Sequence, residues 1–553
     1  MTADILIGPV LRRVVGDRAT IWLETTGPAL VRIEADGGGA GSARTFPAYG
    51  HHYALVVVDH LRPAAASTYT VALDDRVVWP RPDSAYPPAV IRTRATDDRA
   101  DPVNLIFGSC RDATPEATGE RLPPDALDAF ARRLMAEPHR ADLRPDLIVL
   151  LGDQVYADQP SAKVRGLLRR RRADGHAGPQ DQVGNFDEYT RLYWESWRDP
   201  EVHWLLSTVP SVMIFDDHEI IDDWNTSEAW RADIAREPWW AERISAGLAS
   251  YWVYQHLGNL GPAELAGDPL YQKVTTVDDA TALLHDFGRA VGGGERAYQW
   301  SFALDVGRTR VVVLDNRCSR VLTPGHREML PAAEWSWFVD QAHGDYDHLV
   351  VGSSLPWLLP PAIHHLEAWN ERRADSASPR VAARAEKLRR AFDLEHWAAF
   401  GRSFDALGEL FRRLGEAGPG ERVGAGDAYA APASISVLSG DVHHSYVAQA
   451  RFGAPMSTPV MQLTCSPVHN QVPGFMRPFM RLSWSGIVAR GVRGLARAAG
   501  VRKPGWTWSR LAGPYFGNAV STLRLAGRNA TVRVEGTDKE GNLVEVAVVD
   551  YPV

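Results

Sequence analysis

Asp146-Leu-Ile-Val-Leu-Leu-Gly-Asp-Gln-Val-Tyr-Ala-Asp158 is the stretch on which the reading of this chain turns. Its unbroken run of Leu, Ile and Val reads as a strand buried on both faces. The run stops at Gly152-Asp153, with Tyr156 and a second acid, Asp158, close behind. In open α/β sheets, ligands bind in the crevice outside the carboxyl ends of the strands. A carboxylate there, beside a glycine that lets something approach the backbone, is a candidate metal ligand. One such strand is weak support, because Asp also ends strands through its turn chemistry. The pattern, however, recurs.

Val103-Asn-Leu-Ile-Phe107 leads into Gly-Ser-Cys110-Arg111-Asp112, and Ser211-Val-Met-Ile-Phe215 into Asp216-Asp217-His218-Glu219. Thr309-Arg-Val-Val-Val-Leu314 leads into Asp315-Asn316-Arg317, and Leu349-Val-Val-Gly352 into Ser353-Ser354. Ile435-Ser-Val-Leu438 leads into Ser-Gly440-Asp441-Val-His443-His444, and Val460-Met-Gln-Leu463 into Thr464-Cys465-Ser466-Pro467. Helix-like stretches, such as 126–135, lie between them. Buried strands that all end in Asp, His, Cys or Ser describe one rim of an α/β domain.

Asp153, Asp217, Asp441, His443, Tyr156 and Cys110 offer that rim hard oxygens, an imidazole, a phenolate and a thiolate. Carboxylates suit Ca²⁺, Mg²⁺ or Mn²⁺, whereas a Tyr–Cys–His set suits trivalent iron or a softer transition metal. Two metals about 3.5–4 Å apart can bind both the attacking and the leaving oxygen in phosphoryl transfer. Asp153 is the natural bridge between them. Taken singly, a strand-end Cys is usually core, and Asp216-Asp217 could cap a helix. Together these residues point to a metal site.

Residues 1–96 read differently. Ala19–Glu24, Leu30–Glu34, Tyr53–Val58, Tyr69–Leu73 and Val90–Thr93 are short strand-like runs, separated by turn residues such as Gly37-Gly-Gly39 and Asp74-Asp75. That spacing predicts a small β-sandwich of the fibronectin III or immunoglobulin type, ahead of a catalytic domain over 101–553. His51-His52 reads as a surface pair. Trp397, Phe400, Phe404, Leu407, Phe411 and Leu414 fall on one helical face and read as core, as do Tyr189, Tyr193 and Trp197. Arg169–Arg172 reads as a solvated helical face, and 372–390 and 415–430 as surface excursions.

Hydrophobic residues make up 45% of the 553 and charged residues 23%, an ordinary balance for a soluble globular protein. Three cysteines cannot form a disulfide framework, which excludes the small secreted scaffolds. No run approaches the ~20 apolar residues that span a bilayer. The first residues carry no export signal, so a cytoplasmic location is expected.

Gly108-Ser-Cys-Arg-Asp112, Leu151-Gly-Asp-Gln-Val-Tyr156, Phe215-Asp-Asp-His-Glu219, Leu314-Asp-Asn-Arg317 and Ser439-Gly-Asp-Val-His443 resemble, in order, the motif series of PhoD-type alkaline phosphatases. These belong to the calcineurin-like metallophosphoesterases. The resemblance implies a four-layer α/β/β/α fold preceded by the β-sandwich. It implies that Cys110, Asp153, Tyr156 and His443 hold Fe³⁺, and that Asp153, Asp217 and Asp441 hold Ca²⁺, with Mn²⁺, Zn²⁺ or Co²⁺ as alternatives. His218 would stand by the leaving group. Asp217 replaces the superfamily's Asn, Asp441 its first His, and Ser109-Cys110-Arg111 its initial Asp-x-His. Arg111 stands where many relatives have Gln.

The expected reaction is hydrolysis of phosphate mono- or diesters by water or hydroxide held by the metals. His218 would act as general acid, and Arg317 or Arg111 would either clamp a phosphate oxygen or make only a structural ion pair. A diesterase for polyanionic or lipid-linked substrates and a non-catalytic metal-binding protein are the alternatives. A serine esterase would need a Gly-x-Ser-x-Gly elbow at a strand end, which the sequence lacks.

Charge is unevenly spread. Residues 442–534 hold no Asp or Glu but twelve Lys and Arg, in a chain of net charge −8. Within 475–510, arginines mix with Phe479, Trp484, Trp506 and Trp508, and Ile487–Arg497 reads as a helix with an apolar and a basic side. The segment reads either as an Arg-rich surface helix that pairs with the acidic remainder of the chain or as a contact, through 475–510, for an anionic polymer or a membrane surface. No dedicated nucleic-acid-binding motif is present, and the sequence leaves the oligomeric state open.

Overall fold

The computed structural model describes residues 2–95, 101–115, 117, 122–138, 140–294, 298–416, 431–453 and 456–551. Residues 96–100, at the expected domain boundary, and 417–430, most of one expected excursion, lie outside them.

Strands Ile5–Val15, Arg18–Thr25, His51–Val58 and Phe46–Ala48 form one antiparallel sheet. Ala40–Arg44, Leu30–Ala35, Ala66–Leu73 and Arg76–Trp79 form a second, with Val90–Arg92 paired to Ala66–Leu73. Strict alternation explains their packing. Val31, Ile33 and Ala35 are buried against Leu11, Ile21, Leu23 and Val56, while Arg32 and Glu34 face water. The result is the expected β-sandwich.

Its first strand was not legible, because Gly8-Pro9 and Arg12-Arg13 interrupt the apolar pattern. Arg12 is fully buried and ties the sandwich to the rest of the chain. Its guanidinium donates to the carbonyls of Ser211 at 3.0 Å, Tyr254 at 3.1 Å and Gln255 at 2.8 Å. His51 corrects the surface reading in the same way. It lies at this junction, 2.7 Å from Glu24 and 3.5 Å from Asp187 of helix Phe186–Trp197.

Two larger sheets follow. In the first, Ser211–Ile214, Leu147–Leu151 and Val103–Gly108 run parallel, and Ala519–Ala526, Asn529–Thr537 and Leu543–Tyr551 extend it antiparallel. In the second, Thr309–Leu314, His348–Ser353, Ser434–Ser439 and Val460–Thr464 run parallel. Phe302–Val306 flanks them on one side, and Ser445–Phe452 and Trp506–Tyr515 on the other. Val311, Val313 and Val350 join the core shared with the first sheet, and Ser436 Oγ meets Tyr551 Oη at 2.7 Å across it. Val312, Leu314, Leu349 and Val351 turn the other way, onto Phe404, Leu407 and Phe411 of helix Gly401–Glu416. Helices outside and two sheets inside give the α/β/β/α order.

The aromatic stripes are core, as expected. Tyr193 stacks on Tyr254 with ring centroids 4.0 Å apart, and Trp357 meets Phe411 at 5.2 Å. Truncating one such ring costs about 3–5 kcal/mol. Two surface readings need correction. Arg172 is buried against the fully buried Glu188 at 2.7 Å, although Arg169 is solvated as expected. Residues 372–390 are not an excursion. They belong to helices Pro361–Ala374 and Pro379–Ala391, in which Glu367, Asn370, Ala385 and Arg389 are buried.

Candidate metal centre

The rim is made where strands stop, and the backbone stops them sharply. Cys110, Asp153, Asp441 and His443 all lie in the left-handed region, with φ of 58°, 50°, 66° and 49°. Each such residue costs of order 1–3 kcal/mol and persists only where its surroundings hold it. Glycines permit the close approach. A Cβ on Gly152, whose φ is +107°, would stand 2.6 Å from Asp216 Cβ, and one on Gly440 would stand 1.8 Å from Ser109 Oγ. The buried Glu219 carboxylate then locks two strand ends together. It accepts from the backbone N–H groups of Asp153 at 3.1 Å, Gln154 at 2.7 Å and Asp216 at 2.8 Å.

This frame concentrates carboxylates. Ligand atoms of Asp153, Asp217 and His218 lie within 4.8 Å of one another, as do those of Asp216, Asp217 and Asp441. Asp217 is common to both groups. Burial raises the pKa of Asp153, Asp216 and Asp217, and each is pushed further by its acidic neighbours. Asp153 Oδ1 and Asp216 Oδ2 are buried and accept no hydrogen bond. Such oxygens are costly without a partner. Clustered hard oxygens with orphaned lone pairs fit a cation.

Three other expected ligands are placed differently. Cys110 is fully buried, with Sγ 3.2 Å from Ser109 Oγ, 3.3 Å from Ser466 Oγ and 3.7 Å from the Asp441 carbonyl. Burial, Asp153 and Asp441 together raise its thiol pKa. The Tyr156 hydroxyl accepts from Asn470 Nδ2 at 2.9 Å; burial, then Asp153 and Cys110, raise its pKa. His443 is held through its N–H to Ser466 Oγ at 3.2 Å, and burial lowers its pKa to about 4 despite Asp441. Neutral imidazole is the form that binds metal. Cys110 and His443 join neither of the two close ligand groups.

His218 is oriented by Asp158, whose carboxylate oxygens lie 2.9 and 3.0 Å from Nδ1. Burial opposes the charged ring, yet Asp158 and Asp217 outweigh it and raise its pKa. Arg317 is wholly buried. It hydrogen-bonds Asp216 through Nε and Glu395 through Nη1 at 2.5 Å, while Nη2 lies 3.5 Å from both Asp217 and Asp441. Arg111 donates through Nε to Asp125 at 2.7 Å and through Nη1 to the Ser196 carbonyl at 2.9 Å. Asp125 caps helix Ala126–Ala136, so the Arg111 guanidinium is engaged outside the carboxylate cluster.

Sequence reasoning missed three participants. His396 Nε2 lies 3.0 Å from Asp441 Oδ2, and its Nδ1 lies 2.8 Å from the buried Glu367. Glu395 pairs with Arg317 and with Arg320 at 3.1 Å. The available signal was Leu394-Glu-His-Trp397, an acid and a base inside an apolar run.

The α/β/β/α order sets this acidic rim at the ends of the parallel strands, where a metal ion can be held. Residues 129–281 match the family model "PhoD-like phosphatase", and residues 2–91 match "Domain of unknown function (DUF7800)". The solved structure titled "Structure of PhoD" superposes with a TM-score of 0.60 at 12% identity, over 100% of this chain and 91% of that one. The chain therefore shares its fold with PhoD and, over residues 129–281, the sequence pattern of PhoD-like phosphatases. The type III pullulan hydrolase from Thermococcus kodakarensis (11% identity, 100% of each chain) reaches a TM-score of only 0.18. A maltogenic amylase from S. marinus (8% identity, 96% of this chain and 76% of that one) reaches 0.15. Neither bears on the fold. No curated protein matches.

Proposed function

We propose that this chain hydrolyses phosphate mono- and diesters, with Cys110, Asp153, Tyr156 and His443 holding an Fe³⁺-class ion and Asp153, Asp217 and Asp441 a Ca²⁺-class ion. The observation that carries the reading is the pair of buried, unpartnered carboxylate oxygens, Asp153 Oδ1 and Asp216 Oδ2, among mutually repelling acids. Bound ions of this kind activate water and neutralise phosphate charge. The protein's own part is positional. Asp158 fixes the His218 ring through Nδ1 and keeps it protonated, leaving Nε2 to give a proton to the departing alkoxide oxygen. His396, backed by Glu367, orients Asp441. Arg317 balances the acids that remain.

Asp153→Asn tests the proposal. It keeps the side chain's shape and removes a charge shared by both ions. Metal content by mass spectrometry and hydrolysis of a nitrophenyl ester are expected to fall together. Full metal content at full rate would overturn the assignment.

A further inference from the structure

Among the described residues, thirteen large apolar side chains are exposed, and seven of them lie between Phe475 and Leu511. Phe475 is 83% exposed, Ile487 75%, Leu482 58% and Phe479 54%. Phe475 lies in the turn Gly474–Met476, Phe479 and Leu482 on helix Arg477–Leu482, Ile487, Val488 and Leu495 on helix Gly486–Ala498, and Leu511 on the edge strand Trp506–Tyr515. Along Gly486–Ala498 the helical repeat puts Ile487, Gly491, Leu495 and Ala498 on one face, with Val488 at its edge. Arg490 and Arg497 line the opposite edge of that face. Ala496 on the other side is buried, and the helix packs on Pro361–Ala374, whose Ala362 N–H donates to the Ser483 carbonyl at 3.2 Å. The apolar face therefore points away from the body of the protein.

Charge is matched to this face. Residues 474–503 contain seven Lys and Arg and no acid. Arg477 and Arg481 lie over the Phe516 ring at 5.9 and 5.3 Å, which anchors the first helix. An apolar face bordered by arginines, with no negative charge, is the make-up of a helix that lies in a lipid–water interface. We propose that residues 474–503 are a docking surface for an anionic lipid bilayer. A polyanion would engage the arginines alone and leave the Phe475, Phe479 and Ile487 side chains in water. A bilayer accommodates both, with headgroups on the arginines and acyl chains on the rings. The proposal concerns binding and stands independently of the reaction catalysed at the rim.

The test is co-sedimentation of the full chain with two kinds of vesicle: phosphatidylcholine alone, and phosphatidylcholine with about 30 mol % phosphatidylserine. Binding is expected to the mixed vesicles and to weaken with salt. Each arginine near such a surface contributes about fivefold, so Arg490→Glu with Arg497→Glu should weaken partitioning by roughly 25-fold or more. Phe475→Ser with Ile487→Ser should weaken it by about tenfold or more. Circular dichroism and hydrolysis of a small soluble ester serve as the check that both variants fold. Absence of vesicle binding would overturn the proposal. So would binding to inorganic polyphosphate that resists the serine substitutions, which would assign the face to a polyanion. Self-association lost with the same serines, without vesicle binding, would assign it to a second copy of the chain.

Discussion

Arg317→Met keeps the apolar stem but removes a fully buried guanidinium that faces four carboxylates. Two of those contacts, to Asp216 and Glu395, are hydrogen bonds between charged groups. Hydrogen bonds of that kind contribute about 1.5–3 kcal/mol each, so their loss totals roughly 3–6 kcal/mol. The range agrees with the ~3–5 kcal/mol typical of breaking a buried ion pair from one side. Burial already pushes Asp216 and Asp217 toward protonation, and without the arginine they can neutralise further, which favours the lower half of the range. Urea unfolding followed by tryptophan fluorescence, on metal-stripped wild type and variant, reads the loss directly. Adding Glu395→Gln removes the stranded charge, so the double variant should recover at least about 2 kcal/mol relative to additivity. Metal loading should shrink the difference, because a bound cation takes over part of the neutralisation. If Arg317 instead served as a phosphate clamp, the variant would unfold as wild type does and show KM raised about tenfold or more. That pair of results would refute the charge-balance reasoning.

His218→Ala should leave metal content near normal while kcat falls by about 10²–10⁴, with a smaller loss for nitrophenyl than for alkyl esters. Equal losses on both would remove the general-acid role. Cys110→Ser should reduce the content of the iron-class ion and spare the calcium-class one; loss of both, or of neither, contradicts its assignment as a ligand. His51 supplies a pH test remote from the rim. Burial opposes its charge, but hydrogen bonds to Asp187 and Glu24 prevail and raise its pKa to about 9, from 6.5 when unfolded. Its stabilisation is therefore complete below pH 6.5 and is lost as pH rises through 9. With part of that ring open to solvent, the screened contribution is about 1–2 kcal/mol. Thermal melts between pH 6 and 9.5 should show the decline in wild type and a flatter profile in His51→Gln.

The parallel strands were legible because each is apolar on both faces, so a run such as Leu147–Leu151 needs no alternation to be recognised. The hairpins over 519–551 were not. Arg524, Arg533, Glu545 and Asp550 break their pattern, since those strands extend the sheet to an edge that is partly exposed. The same division runs through the site. Cys110, Asp153, Asp217, Asp441 and His443 follow strands directly, and position alone makes them candidates. Glu367 lies on helix Pro361–Ala374, and Glu395 and His396 lie in the connection after helix Pro379–Ala391, all within the insertion between the strands His348–Ser353 and Ser434–Ser439, whose Arg-rich stretch 372–390 reads as solvated. Arg317 could be placed at a strand end, but its partner Glu395 arrives through that insertion, so its ion pairs could not be read. Arg111 likewise follows its strand, yet a helix-capping carboxylate fourteen residues further along the chain claims its guanidinium.

Three features of the rim are each unfavourable alone: left-handed backbone at four non-glycine residues, acids close enough to repel, and buried oxygens without partners. The surrounding fold resists all three. Glu219 ties the strand ends carrying Asp153 and Asp216, Ser109 receives the Asp441 N–H at 3.1 Å, and His396 holds the Asp441 carboxylate. A sequence selected for stability alone would replace such a set with apolar side chains of similar volume. Its retention makes sense if a cation relieves the repulsion and fills the orphaned lone pairs, for then binding energy becomes folding energy. The strain then has a second effect. Because the ligand-bearing residues are already turned and clamped, binding an ion requires little reorganisation of the chain, and the oxygens it meets cannot relax apart when it leaves.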